Sequence, residues 1–259
     1  MDELPDIIKE YAPISLQELD ATKLLERKDT KFIFHECVLP ALLLELKSGF
    51  RILEINGHRV MDYENQYYDT PDFRFYTDHH NGARTRYKVR YRKYNQPKAT
   101  YFEIKVKNNK ERTHKRRIKV PTVGQTFSEK EKELITGITG VSPDLLSPKL
   151  TIHFSRFTLV NSDMTDRITV DFNVRVTNGG PSKHFTNLVI AEIKQPRYRP
   201  NSEFIQAMRQ FGIDEMRISK YCMGILHTYP GVKYNRFKPK LLRLNKIMSG
   251  NSTMESLYA

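Results

Sequence analysis

Five basic residues at every second position, Arg84, Arg86, Lys88, Arg90 and Arg92, run through GARTRYKVRYRKY with Thr85, Tyr87, Val89 and Tyr91 between them. Spacing of two puts all five on one face of a strand and the aromatic and β-branched residues on the other. The next segment, TYFEIKVK, sets Glu103, Lys105 and Lys107 against Phe102, Ile104 and Val106. In THKRRIKV, Lys115, Arg117 and Lys119 alternate with Arg116, Ile118 and Val120. One such strand reads as the solvated face of a half-buried sheet. Three in succession place like charges on adjacent strands, which repel unless an anion compensates them. Each cationic face also carries a carboxylate or polar group: Asp29 between Arg27 and Lys31, Glu103 beside Lys105, Asp171 near Arg167, Glu192 near Lys194. Carboxylates repel phosphate, so a nucleic-acid surface avoids them. A site for a metal–phosphate complex needs both kinds of group, Lys and Arg for phosphate oxygens and Asp or Glu for a bridging Mg²⁺ or Mn²⁺.

The elements that must position these faces are mostly strands. RKDTKFIF (27–34), the basic strand from 82, 166–176 and 185–195 alternate, while the Tyr-rich 59–69 and 150–160, with Arg156 in its middle, also read as strands. In 166–176, Arg167, Thr169, Asp171 and Asn173 share one face and Ile168, Val170, Phe172 and Val174 the other. Amphipathic patterns predict helices over 38–47, 202–211 and 219–227, with another over 128–136 opened by Ser128 and Glu131 in a capping box. A helix is also expected from Ser15 to Leu24, and Asn95–Lys98 and Asn108–Glu111 read as hairpin connections. About eight long, hairpin-linked strands predict an α+β protein: a closed eight-stranded antiparallel β-barrel with helices packed outside. The aromatics are expected on the outward face, as core under the helices rather than as base-stacking platforms. His79 and His80 read as a solvated loop, with substrate contact the alternative. Cys37 and Cys222 read as core thiols.

Composition bounds the function. The 259 residues suffice for a sizeable core, and 14 Phe with 14 Tyr exclude a disordered chain. The net charge of +13 points to an anionic partner: nucleic acid, an acidic membrane or phosphates. Residues 82–119 hold fifteen Lys or Arg against Glu103 and Glu111, so this stretch carries the whole excess. Two cysteines make no disulfide framework and suggest a reducing, cytoplasmic compartment. The acidic N-terminus predicts no signal peptide, and no apolar run approaches the roughly 20 residues of a transmembrane helix.

The ordered series RKDTKFIF, NQYYDTPDF, HHNGARTRYKVRYRKY, YFEIKVK, THKRRIKV, HFSRFTL, DRITVDFNV, AEIKQP and RISKYCMG resembles the polyphosphate polymerase domain of the vacuolar transporter chaperone (VTC) complex, in the triphosphate tunnel metalloenzyme superfamily. The resemblance runs from about Ser15 to about His227. YYDTPDF followed by GARTRYKVRYR is its most specific part. It implies an eight-stranded tunnel that transfers the γ-phosphate of ATP to a growing inorganic polyphosphate chain with Mn²⁺ or Mg²⁺. It further implies catalytic roles for Arg90 and Arg92 (the R-x-R pair), Lys105 (the lysine of E-x-K), Arg156 and Arg167. Substrate-binding roles fall to Lys31, Lys115 and Lys220 (the lysine of S-K-Y), and Glu192 becomes the metal ligand. For Lys115 a one-residue slip reverses its face. Glu103 and Asp171 are either further metal ligands or ion-pair partners of the cations. Eukaryotic relatives add an inositol-phosphate-sensing SPX domain and membrane helices; this chain carries neither pattern. The expected organisation is a lead-in (1–14), a tunnel domain (15–232) and a loose basic tail (233–259). A tunnel triphosphatase and a non-catalytic polyphosphate- or nucleotide-binding module remain as alternatives. A nucleic-acid binder ranks last, so the expected partners are ATP and polyphosphate, with no nucleic acid and no transmembrane segment.

Overall fold

The alternating segments do form strands. The computed structural model describes residues 3–21, 28–108 and 113–250. Arg27, the end of the predicted helix over 22–24 and the 109–111 part of a predicted hairpin connection lie outside the described residues. The strands are β1 (Pro13–Ile14), β2 (Lys28–His35), β3 (Phe50–Leu53), β4 (Met61–Asp69), β5 (Arg86–Asn95), β6 (Lys98–Lys107), β7 (Thr113–Val120), β8 (Ser147–Asn161), β9 (Arg167–Thr177), β10 (Lys183–His184) and β11 (Leu188–Gln195). The helices are α1 (Leu4–Lys9), α2 (Leu16–Ala21), α3 (Leu39–Leu46), α4 (Arg74–Asn81), α5 (Glu129–Thr139), α6 (Glu203–Gln210), α7 (Lys220–Thr228) and α8 (Lys238–Met248). The main sheet runs β2-β11-β9-β8-β4-β5-β6-β7, with every neighbouring pair antiparallel. Among the described residues no helix is long and apolar enough to cross a membrane.

The expected closed barrel is corrected here. Eight strands form the path, but β2 and β7 end it and do not pair with each other, so the sheet stays open. Both edges have a physical reason. On the free side of β2, Met216 N–H donates to the Lys31 carbonyl at 2.8 Å, and Phe32 bridges Glu215. That short segment takes the hydrogen bonds a closing strand would need. The β7 edge exposes Lys115, Arg116, Arg117 and Lys119, and charged edges resist further pairing.

The sheet nevertheless curls. Lys105 on β6 is near enough to depress the basicity of Lys31 on β2, and Lys105 itself senses Asp29 on β2 and Lys194 on β11. Six strand steps separate β2 from β6, roughly 29 Å on a flat sheet. Only a strongly curved sheet, concave on the cationic side, brings the two strands into one electrostatic neighbourhood.

Its convex side is core. Phe32, Phe34, Ile168, Val170, Val189, Ala191 and Ile193 pack against Leu39, Leu42, Leu43 and Leu46 of α3 and Phe204 and Met208 of α6. Each fully buried side chain of this kind contributes roughly 1.5–3 kcal/mol. Over β5 and β6, Val89, Tyr91, Phe102 and Ile104 lie beneath Ile135 of α5. The capping box of α5 is present, with Glu131 Oε2 accepting from Ser128 N–H at 2.7 Å.

Three local expectations change. The alternation in β9 breaks at Asn173, which takes φ 52° at a register shift opposite His153–Ser155. Ile168 and Val170 pack on the convex core, whereas Val174 and Val176 join Leu150, Ile152 and Phe154 in a second core. Val174 therefore does not share a side with Ile168. Lys238–Met248 of the expected loose tail form α8, with Leu244 and Ile247 buried in that second core. His79 and His80 sit on α4 rather than in a solvated loop. Helix α7 crosses the concave side so closely that a Cβ on Gly224 would lie 2.3 Å from a methyl of Leu150.

Candidate active site

Three carboxylates organise the concave face, each under its own set of cations. Glu103, only 1% exposed, accepts from Arg90 Nη2 at 2.6 Å, Arg90 Nε at 2.9 Å and Lys115 Nζ at 3.2 Å, with Arg92 at 3.8 Å. Asp171 is paired with Arg156, whose Nη2 donates to Oδ2 at 2.8 Å, and with Lys220. Glu192 stands opposite Lys31 in the β2–β11 register, forms an ion pair with it, and meets Lys194 Nζ at 2.7 Å. Aromatic faces support the guanidinium groups. Arg90 lies 5.6 Å from the Tyr67 ring and Arg156 lies 5.1 Å from the Tyr63 ring. Arg90 Nη1 also donates to the Tyr67 hydroxyl at 2.8 Å, and Arg92 Nε to Asn65 at 2.8 Å.

The electrostatics are those of an over-charged concave face. Burial, then repulsion from Lys194, holds Lys31 well below the usual lysine range. Burial, then Lys88, lowers Lys105 to about 7. Burial also lowers Lys115 and Lys220. Glu103 goes the other way: burial opposes its charge, but Arg90, Arg92 and Lys115 outweigh it and hold the carboxyl low. Among these groups Lys105, at about 7, sheds part of its charge near neutral pH. A phosphate chain would restore that charge.

Of the residues singled out in the sequence, Lys31, Arg90, Arg92, Lys105, Lys115, Arg156, Glu192 and Lys220 all reach this face. Lys115 faces Lys105 directly in the β6–β7 register, which settles its side of the strand. Arg167 stands at the periphery, and its Nη2 donates to the Leu19 carbonyl of α2 at 2.7 Å. It thereby ties a helix to the sheet. Glu103 and Asp171 appear as buried ion-pair partners, the second of the two readings open for them.

Lys88, Lys194, Tyr67 and His79 also stand at this face, outside the residues that the resemblance singles out. Lys88 and Lys194 were legible in the alternation itself. His79 was not. Its place follows from how α4 docks, beside Lys88, Arg86 and Lys105, where burial and those cations hold the imidazole neutral. Its Nε2 is buried without a hydrogen-bond partner among the described residues. The docking of α4 rests on Asp69. One carboxylate oxygen accepts from Thr70 and Phe75 N–H at 2.8 and 2.9 Å. The other accepts from Tyr76 N–H at 2.9 Å and from the Tyr221 hydroxyl. The YYDTPDF segment thus fastens α4 and α7 together.

Among the described residues no three His, Cys, Asp or Glu side chains converge on a point. The described residues alone build no metal cage. The donor set does fit a hard cation that arrives with a phosphate chain, because Mg²⁺ and similar ions take one or two carboxylates and draw the remaining ligands from phosphate and water.

The class this fold and site define is an α+β protein with one open, curved antiparallel sheet whose concave face sets carboxylates among cations. Within that class the chain belongs to the VTC domain family, whose model matches residues 26–229. Among solved structures it is similar to HpAC1 from Hippeastrum, an adenylyl cyclase candidate described as having a dominant triphosphatase activity. The two share 12% identity over 81% of this chain and 99% of that one, with a TM-score of 0.50. An adenylate cyclase candidate from Vibrio parahaemolyticus is 11% identical over 76% of this chain and 98% of that one, with a TM-score of 0.46. At such identities the likeness concerns the fold alone. No curated protein matches the chain.

Proposed function

We propose that this chain is a polyphosphate polymerase, transferring the γ-phosphate of ATP to the terminal phosphate of a growing inorganic polyphosphate chain. The observation that carries this reading is the shared field of Lys31 and Lys105. Lysines from strands six steps apart gather with Lys194 on one concave face, an arrangement suited to an extended polyanion rather than a single phosphate. Membership of the VTC domain family supports it.

In this reading Arg90, Arg92 and Arg156 hold phosphate oxygens with rigid guanidinium forks backed by aromatic rings. Lys31, Lys105, Lys115 and Lys220 neutralise charge along the chain. Arg167 serves from the edge. Phosphoryl transfer needs positioning and charge stabilisation more than a protein nucleophile, and the acceptor phosphate is already ionised, so no strong general base is required. A divalent ion, Mn²⁺ or Mg²⁺, would be held by Glu192 and would supply charge neutralisation to the phosphates. Lys31 and Lys194 orient the Glu192 carboxylate. Free Cys37 and Cys222 support a reducing, cytoplasmic setting.

The test is incubation of purified protein with ATP and Mn²⁺, with products resolved on a gel. Long-chain polyphosphate is the expected product. Free phosphate alone would make the chain a triphosphatase, the activity described for HpAC1. Tight anion binding with no turnover under any divalent ion would make it a binding module.

A further inference from the structure

The aromatics of this chain do not all face outward. Tyr87 and Tyr91 point to the convex side, as their alternation requires, but the pattern inverts after Arg92. There Lys93 turns out and Tyr94 turns in, onto the face of Arg90 and Arg92. Tyr101 stands opposite Arg92 in the β5–β6 register, and Tyr63 opposite Tyr94 in the β4–β5 register. At this end of the concave face the charged row therefore gives way to a wall of three tyrosines. Tyr94 meets Tyr63 at 5.0 Å and Tyr101 edge-on at 5.7 Å. Arg92 covers Tyr63 and Tyr94 at 5.6 and 6.0 Å, and Arg117 covers Tyr101 at 4.9 Å. Beside Tyr94, at the strand ends, opens a cavity of about 360 Å³ whose lining includes Lys98, Ala99 and Lys119 and also the outward-turned Lys93; of the three tyrosines only Tyr94 lines it.

Part of this wall backs Arg92 and Arg117, as Tyr67 backs Arg90, but the rest offers aromatic surface that a phosphate chain does not use. Its oxygens want donors, and aromatic faces repel them. A ligand with one flat aromatic end and one polyanionic end fits both halves at once. We propose that the Tyr94–Tyr101 wall with its adjoining cavity is a nucleobase site, which seats the base of ATP at the β5–β6 hairpin end and runs its phosphates inward over Arg92, Arg90 and Lys105. This rests on the ATP reading above and adds a direction: the nucleotide enters base-outward, with the γ-phosphate deepest, toward the Lys31–Glu192 pair. Stacking on tyrosine reads a base by its π-face, so purine triphosphates should bind better than inorganic triphosphate without strong choice among purines.

The experiment is calorimetric binding of two probes that need no turnover, AMP-PNP and inorganic triphosphate, to wild type, to the Tyr94→Leu/Tyr101→Leu double variant and to the Tyr94→Phe/Tyr101→Phe double variant. The leucine variant is expected to bind AMP-PNP about five- to thirtyfold more weakly and inorganic triphosphate within about twofold of wild type. The phenylalanine variant, which keeps both rings, should match wild type for both probes. Equal losses for the two probes, or no loss for either, would overturn the base site and leave the triphosphate reading standing. A wild-type protein that binds neither probe would overturn both.

Discussion

Lys31 and Glu192 face one another across the β2–β11 ladder, ammonium against carboxylate, while Lys194 closes on the same carboxylate at 2.7 Å. Two lysines on one half-buried glutamate leave a net positive charge, which a phosphate chain can balance. The same carboxylate is the proposed ligand for the divalent ion. Glu192→Gln keeps the shape and an acceptor oxygen but removes the charge. Synthesis should fall by about a hundredfold or more, with the Mn²⁺ requirement altered. Triphosphate binding in metal-free buffer should hold or tighten. Activity titrated against Mn²⁺ decides it, since near-normal turnover with an unchanged metal profile would remove Glu192 from the site.

Arg90 and Arg92 are neighbours on one face, yet their removal should have different consequences. Arg90 supplies both short hydrogen bonds to Glu103, which is only 1% exposed, and a third to Tyr67. Arg92 stands 3.8 Å from Glu103 and is held by Asn65. Deleting one partner of a buried pair costs about 3–5 kcal/mol. Arg90→Ala should therefore lose both synthesis and thermal stability. Arg92→Ala should lose about 10²-fold in kcat/KM while melting close to wild type. From the cationic row alone, either deletion should lose synthesis while the fold survives; the short bonds to buried Glu103 are why Arg90→Ala should lose stability as well. Equal melting temperatures for the two variants would contradict this account.

Lys105 gives a pH prediction with a definite sign. Its folded pKa is lowered to about 7 by burial and then by Lys88, whereas an unfolded lysine titrates near 10.4. Between those values the unfolded chain binds more protons, so the stability of the ligand-free protein gains from Lys105 as pH rises from about 7 toward 10 and loses it as pH falls back through 7. Melting temperatures at pH 7 and 9 should show a rise in wild type that is smaller in Lys105→Met. Triphosphate binding should take up protons near pH 8. Equal heats in buffers of different ionisation enthalpy would refute that.

Asp69 is buried beneath three backbone N–H groups and the Tyr221 hydroxyl. It touches no group of the proposed phosphate path. Asp69→Ala should destabilise by about 3 kcal/mol, as expected for hydrogen bonds to a buried carboxylate. It should also weaken triphosphate binding indirectly, because α4 carries His79 and α7 carries Lys220. Chemical denaturation measures the first effect. An unchanged midpoint would mean that the docking of α4 rests elsewhere.

Much of this protein was legible from side-chain period alone. Alternation over Arg86–Arg92, Phe102–Lys107 and Leu188–Gln195 determined which residues share a face, because a strand allows only two sides. Ser128 with Glu131 marked the start of α5 for an equally local reason. The resemblance series then picked Lys31, Glu192 and Lys220 out of a chain with many lysines and glutamates. What the sequence could not determine depended on contacts between distant segments. The sheet stays open because Glu215 and Met216 occupy the edge of β2, and nothing in a strand's own pattern announces who will take its free hydrogen bonds. Asn173 switches the sides of β9 through one positive φ. Tyr94 and Tyr101 turn inward while Tyr87 and Tyr91 turn outward, a difference of parity that a list of aromatics hides. His79 reaches the cationic face only because Asp69, reading as the end of a strand, holds α4 against α7. Local period sets the sides of a strand; which side is concave, and what covers each edge, is decided only when the whole sheet is packed.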